Sequence, residues 1–185
     1  MAYGLELHLD PTTEATVWGL RRALAAAGLP TLAGTRERPH LSLVRFDPAD
    51  PAWPAAAGRA LAALAAGEAP LDVVFPCLGV FTHPAAFVFL APVVSEALLA
   101  LHRRVHAWAA GVGAVHADHY VPGRWVPHCS LTLPLTPAQL PAAVAACRGI
   151  PFPLAARGTH LGMTHAPPVV EWHSLELGTG AARGA

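Results

Sequence analysis

Pro39-His40-Leu41-Ser42-Leu43 and Pro127-His128-Cys129-Ser130-Leu131 are one pattern, Pro-His-x-Ser-Leu, written twice with the histidines 88 residues apart. In a chain of 185 residues that is close to half the length. A bare His-x-Ser arises by chance in a chain with 11 His; five matching positions in equivalent contexts do not. Each copy follows a helix-like stretch and a polar loop, and each opens a strand that a helix and two further strands follow. Residues i and i+2 of a strand share a face. His40 and Ser42 therefore project together, as do His128 and Ser130, while Leu41, Leu43, Cys129 and Leu131 turn to the core.

Pairing the two halves about a pseudo-twofold axis brings two imidazoles and two hydroxyls around one cleft. An imidazole with an ordinary pKa of about 6.5 exists in both charge states near neutrality, so one can accept a proton while the other donates. The two serines add hydrogen-bond donors for the non-bridging oxygens of a phosphate. The chemistry this set suits is phosphoryl transfer by acid and base.

Outward from the repeat, the apolar patterning gives the order β-α-β-α-β-β, then α-β-α-β-β. Leu5, Leu7 and Leu9 alternate with Glu6, His8 and Asp10 as a half-buried strand. Helices are expected over 11–27, 54–66, 93–110 and 136–149, with strands over 40–46, 71–81, 86–90, 126–133, 154–163 and 169–177. The chain reads as one domain of two pseudo-repeat halves, about 1–92 and 93–178, with a frayed tail beyond.

Composition narrows the partners. Twelve basic residues, all Arg, balance 12 acidic ones, so the basic excess that long duplex nucleic acid requires is absent. A small phosphate ligand or one RNA end remains open. No run approaches the roughly 20 apolar residues of a membrane helix, and the first residues lack a signal-peptide pattern. A soluble, cytoplasmic protein with no membrane partner is expected, with a monomer as the default. Cys77, Cys129 and Cys147 are isolated from one another, which fits neither a disulfide framework nor a Cys-rich zinc site.

The segment Tyr120-Val-Pro-Gly-Arg-Trp-Val-Pro-His-Cys-Ser-Leu131, taken with the first copy, resembles the 2H phosphoesterase superfamily and its bacterial 2′–5′ RNA ligase-like branch. The resemblance spans essentially the whole chain. It implies a bilobal α+β fold with two antiparallel sheets forming a central groove and helices outside. It also implies cleavage of a cyclic phosphodiester or 2′–5′ linkage with no metal and no cofactor. By the family pattern His40 protonates the leaving oxygen and His128 activates water, although a symmetric pair of residues leaves that division open. Both copies carry Ser where many relatives carry Thr.

Further candidates surround the repeat. Arg38 and Arg124 adjoin the two copies and are expected to contact phosphate or RNA. Tyr120 and Trp125 could stack a nucleobase, although packing competes for Trp125. His8, on the polar face of the first strand, is expected to reach substrate. His102 and His106, with His116, His119 and Asp118, suggest a rival zinc hydrolase. Arg103 and Arg104 beside the helical pair argue against that, and solvated positions are expected for these histidines. A non-catalytic module binding nucleotides or RNA ends is the contrasting class. A 2′–5′ ligase and a phosphodiesterase for ADP-ribose cyclic phosphate are variants of the same chemistry.

Overall fold

A computed structural model describes residues 2–48, 53–167 and 169–178. The chain runs β1 (Ala2–Leu9), α1 (Pro11–Ala26), β2 (His40–Pro48), α2 (Trp53–Gly67), β3 (Leu71–Phe75), β4 (Cys77–Phe81) and β5 (Phe87–Ala91). It continues through α3 (Glu96–Gly111), β6 (Ala114–His116), β7 (Cys129–Ser130), α4 (Leu140–Ala146), β8 (Leu154–Ala166) and β9 (Val170–Glu176). The tail expected beyond 178 lies outside the described residues.

Two antiparallel sheets form, as the family resemblance implies, but they are unequal. The larger has six strands in the order β3-β8-β1-β2-β6, with β9 also on β8; the smaller is β4-β5-β7. The two copies of the repeat thus lie on different sheets, the first on β2 and the second on β7. Each sheet also takes strands from both halves of the sequence.

Three elements differ from the sequence-based expectation. The single strand expected over 71–81 is two strands in two sheets, divided at Pro76, which has no N–H to continue a ladder. The strand expected over 126–133 shrinks to Cys129–Ser130, flanked by Pro127 and Pro134. A short strand, β6, pairs with β2 where a loop was expected.

The leucines of β1 are sealed on the helix side of the large sheet, with Leu5, Leu7 and Leu9 at most 1% exposed. Leu41, Leu43, Cys129 and Leu131, expected in the core, are all 0% exposed. Burial of this kind is the main stabilising term, near 25 cal/mol per Å2 of apolar surface. Helix α1 starts where Asp10 accepts from the Thr12 and Thr13 N–H groups, both at 3.0 Å. The same carboxylate accepts from the Arg157 N–H at 2.9 Å, tying the cap to β8. Asp10→Ala should therefore cost about 1–2 kcal/mol in urea unfolding, with Asp10→Asn recovering part of it. No helix among the described residues is long and apolar enough to cross a membrane.

Candidate active site

The Pro-His order of the repeat has a structural reason. A proline disfavours the helical region for the residue before it and keeps that residue extended. The carbonyl two residues before each histidine then faces the ring. His40 Nδ1 lies 2.7 Å from the Arg38 carbonyl, and His128 Nδ1 lies 2.8 Å from the Val126 carbonyl. Each carbonyl can only accept, so Nδ1 carries the hydrogen in both rings and each Nε2 is left for chemistry. The likeness of the two copies extends to their hydrogen bonds.

Their surroundings are not alike. His40 is 6% exposed and Ser42 5%, and His40 Nε2 hydrogen-bonds Ser42 Oγ at 3.0 Å. His128 is half-buried against the edges of Phe81 and Phe89, at ring-centre distances of 5.0 and 5.4 Å. Phe89 can lie there because its ring crosses Gly79; a Cβ at that position would fall 2.1 Å from the ring. Burial pushes His128 below the ordinary imidazole value against its bond to Val126, and the positive charges of His40, Arg45 and His119 push the same way.

His128 and Ser130 open onto a cavity of about 530 Å3. Its walls include Phe81, Phe87, Tyr120 and Trp125, with Arg124 and His119 also on it. The Arg124 side chain is 67% exposed and lies 3.8 Å from Asp118. Trp125 both lines the cavity and packs: it stacks on His102 at 4.0 Å and donates its indole N–H to the Ser42 carbonyl at 2.9 Å. That last bond ties the cavity wall to the first copy of the repeat.

Several expectations need correction. His102 and His106 are buried, not solvated. Both direct Nε2 to the Tyr120 carbonyl, at 2.9 and 2.8 Å, and burial pushes His102 down to about 4. They anchor the loop that carries Tyr120 and Trp125. Their Nε2 atoms are thereby occupied in holding that loop. Among the described residues no three His, Cys, Asp or Glu side chains are grouped to hold a metal ion. The side chain of His116 lies outside the described residues.

His8, expected to reach substrate, is buried rather than open to the groove. It faces the same side as His40, its partner across the β1–β2 ladder, but is 0% exposed. Its ring covers Gly162, where a Cβ would come within 2.1 Å. The Arg38 guanidinium is engaged with Glu14 at 2.8 Å, Ser174 at 3.2 Å and Glu171 at 3.4 Å. Cys129 is fully buried and its thiol is pushed up to about 11 by that burial, as suits a packing residue.

Three residues at the site were missed by the sequence reading. Glu6, opposite Ser42 in the ladder, is buried on the groove face between β1 neighbour His8 and β8 residue Thr164. Arg45 reaches the same face through a β-bulge. The register slips between Leu5 and Glu6, so Leu43 and Val44 both turn to the core and Arg45 takes the groove side opposite Gly4. Arg21, on α1, is 0% exposed and clamps both copies from behind. It donates to the Ser130 carbonyl at 2.9 and 3.2 Å and to the Glu37 carbonyl at 2.7 Å. A signal for Arg21 was present: with Val17 and Leu24 it completes the apolar stripe of α1.

The architecture recurs in solved structures. TT0787 of Thermus thermophilus superposes with a TM-score of 0.69 at 16% identity, covering 98% of this chain and 100% of that one. Kluyveromyces marxianus Usb1 gives 0.59 at 16% identity, over 95% and 98%. E. coli LigT complexed with 3′-AMP gives 0.58 at 16%, over 95% and 97%. At these identities the likeness is one of fold. No curated protein matches the chain in sequence. The model of the 2′-5′ RNA ligase superfamily matches residues 10–166. The chain belongs to that superfamily, the 2H phosphoesterases, a family of enzymes acting on phosphodiester bonds.

Proposed function

We propose that this protein hydrolyses 2′,3′-cyclic phosphates at RNA or nucleotide ends to 2′-phosphates. The observation that carries the reading is the pair of imidazoles, each with Nδ1 fixed on a carbonyl and Nε2 left for a proton transfer. His128 Nε2 accepts a proton from water as its oxygen bonds to phosphorus. The P–O3′ bond breaks, its electron pair leaves with O3′, and that oxygen takes the Nε2 proton of His40. The histidines end with exchanged protonation states and reset through solvent. Ser42 and Ser130 donate to the non-bridging oxygens, and Arg45 supplies positive charge beside them.

Both proton transfers are served by these two side chains, so the reaction needs no metal-bound water. Phe81, Phe87, Tyr120 and Trp125 offer aromatic surface for the nucleoside, and Arg124, on the same cavity, offers a guanidinium for the next phosphate of an RNA end. A structural neighbour that holds 3′-AMP supports a nucleotide in this fold.

The test is incubation with 2′,3′-cyclic nucleotides, cyclic-phosphate-ended RNA and ADP-ribose cyclic phosphate, with and without EDTA. Turnover to a 2′-phosphate that survives chelation is expected. Binding without turnover on every substrate would favour the non-catalytic module, and loss of activity with EDTA would return the question to a metal. Adding RNA with a 5′-hydroxyl reads ligation, the same chemistry run with an alcohol in place of water.

A further inference from the structure

The two copies of the repeat present the same ring with the same Nδ1 bond. The Ser42 hydroxyl that His40 Nε2 meets at 3.0 Å has a counterpart residue in Ser130, so residue types within the motif do not distinguish acid from base. The distinction must come from what surrounds each Nε2. Around His128 the wall is aromatic, from Phe81 and Phe89, and the charges that reach it are positive. Around His40 there is a carboxylate. Glu6 Oε1 lies 3.5 Å from His40 Nε2, on a side chain only 3% exposed.

Glu6 is held for this position from several directions. Thr164 Oγ1 donates to its Oε1 at 2.8 Å. His8 Nε2 lies 3.5 Å from Oε2, and Arg45 Nη2 lies 3.8 Å from Oε1. Burial alone would push this carboxyl up. The attraction of His40, with His8 and Arg45 adding to it, outweighs burial and holds Glu6 down at about 2, so it is ionised throughout the working range. Gly4 leaves room for the arrangement: a Cβ there would meet Thr164 Oγ1 at 3.3 Å and Arg45 Nε and Glu6 Oε1 at 3.5 Å.

We propose that Glu6 is the positioning residue that makes this histidine pair unsymmetrical: its carboxylate holds the Nε2 proton on His40 and so fixes His40 as the acid. The inference rests on the cyclic phosphodiesterase reading for its kinetic consequence, but the Glu6–His40 contact can be tested without it. Other charged groups face His40 as well. Glu37 Oε1, on the preceding loop, lies 3.8 Å from Nε2 and is more exposed, at 21%. Arg45 on β2 and His128, just before β7, oppose the imidazolium. Arg38, whose carbonyl takes the Nδ1 hydrogen, has its own charge met by Glu14 and Glu171. Glu6 is the buried carboxylate among these neighbours, where water screens it least.

The experiment compares Glu6→Gln, Glu6→Asp and Glu37→Gln with the unaltered protein. On 2′,3′-cyclic nucleotides, Glu6→Gln should lose about tenfold in kcat at pH 8 and less than about twofold at pH 5.5, where bulk protons replace the missing hold. Glu6→Asp should recover part of the loss, and Glu37→Gln should stay within about twofold at both pH values. Nitrogen NMR of the labelled rings at pH 7 should show a several-fold smaller fraction of doubly protonated His40 in Glu6→Gln, with His128 little changed. A loss equal at both pH values with an unchanged His40 ring assigns Glu6 to structure and overturns the proposal. An equal loss in Glu37→Gln also overturns it. Absence of turnover in the unaltered protein defeats the phosphodiesterase reading, while the NMR result still decides the role of Glu6.

Discussion

Replacing His128 by alanine should lower kcat on 2′,3′-cyclic nucleotides by a factor on the order of 10²–10⁴, the range for a positioned proton-transfer group. His40→Ala should do the same. The double variant should be scarcely worse than either single one, because two groups serving one transition state do not contribute additively. Both positions end in a solvent-accessible groove or beside a hydroxyl, so truncation leaves the core leucines behind them in place. Circular dichroism and Tm should therefore change little. An activity loss below about tenfold in either variant would remove that histidine from the mechanism.

The same assignment fixes the pH dependence. A base works only when neutral, and His128 sits below the ordinary imidazole value because burial disfavours its charge. A depressed base remains unprotonated to lower pH. The acid limb of the kcat/KM profile should thus fall below about 6.5, the value of an unperturbed imidazole. An acid limb above that value would assign the limb to a different group.

Arg21→Met should be the most damaging substitution outside the histidine pair. Methionine keeps much of the stem volume but leaves the Ser130 and Glu37 carbonyls without their donors. Losing charge-assisted bonds to partly buried carbonyls costs on the order of 3 kcal/mol, or a fall in Tm of roughly 6–12 °C at this chain length. Activity per folded molecule should fall as well, since the clamp spans Ser130 on one sheet and the loop leading to His40 on the other. Arg21→Lys should recover little, because one ammonium cannot reproduce a guanidinium that reaches both carbonyls. A large fall in Tm with unchanged activity in the folded fraction would show that Arg21 serves the fold alone.

The contrast between residues found in the sequence and residues missed has a physical basis. His40, Ser42, His128 and Ser130 were legible because strand alternation is local: two residues on one face need only two residues of sequence. The same rule placed Leu41, Leu43, Cys129 and Leu131 in the core. It failed at Arg45, since a one-residue bulge reverses the alternation and bulges leave no mark in a run such as Leu43-Val44-Arg45. It placed His8 on the same face as His40 but could not show that its side chain is fully buried there. It could not find His102 and His106 as buried anchors, because their partner is a backbone carbonyl of Tyr120, 18 and 14 residues away.

By itself the sequence determined the order of most strands and helices and the duplicated strand motif with its two imidazoles, since these follow from short-range periodicity and a repeat. The class of fold came from the resemblance that the motif carries. Only the tertiary structure decided that the sheets are unequal and that the chain divides at Pro76 to build both. It also decided that the histidine pair is unsymmetrical. Glu6 stands beside one ring and aromatic walls beside the other, and charges act through space with no regard for separation along the chain.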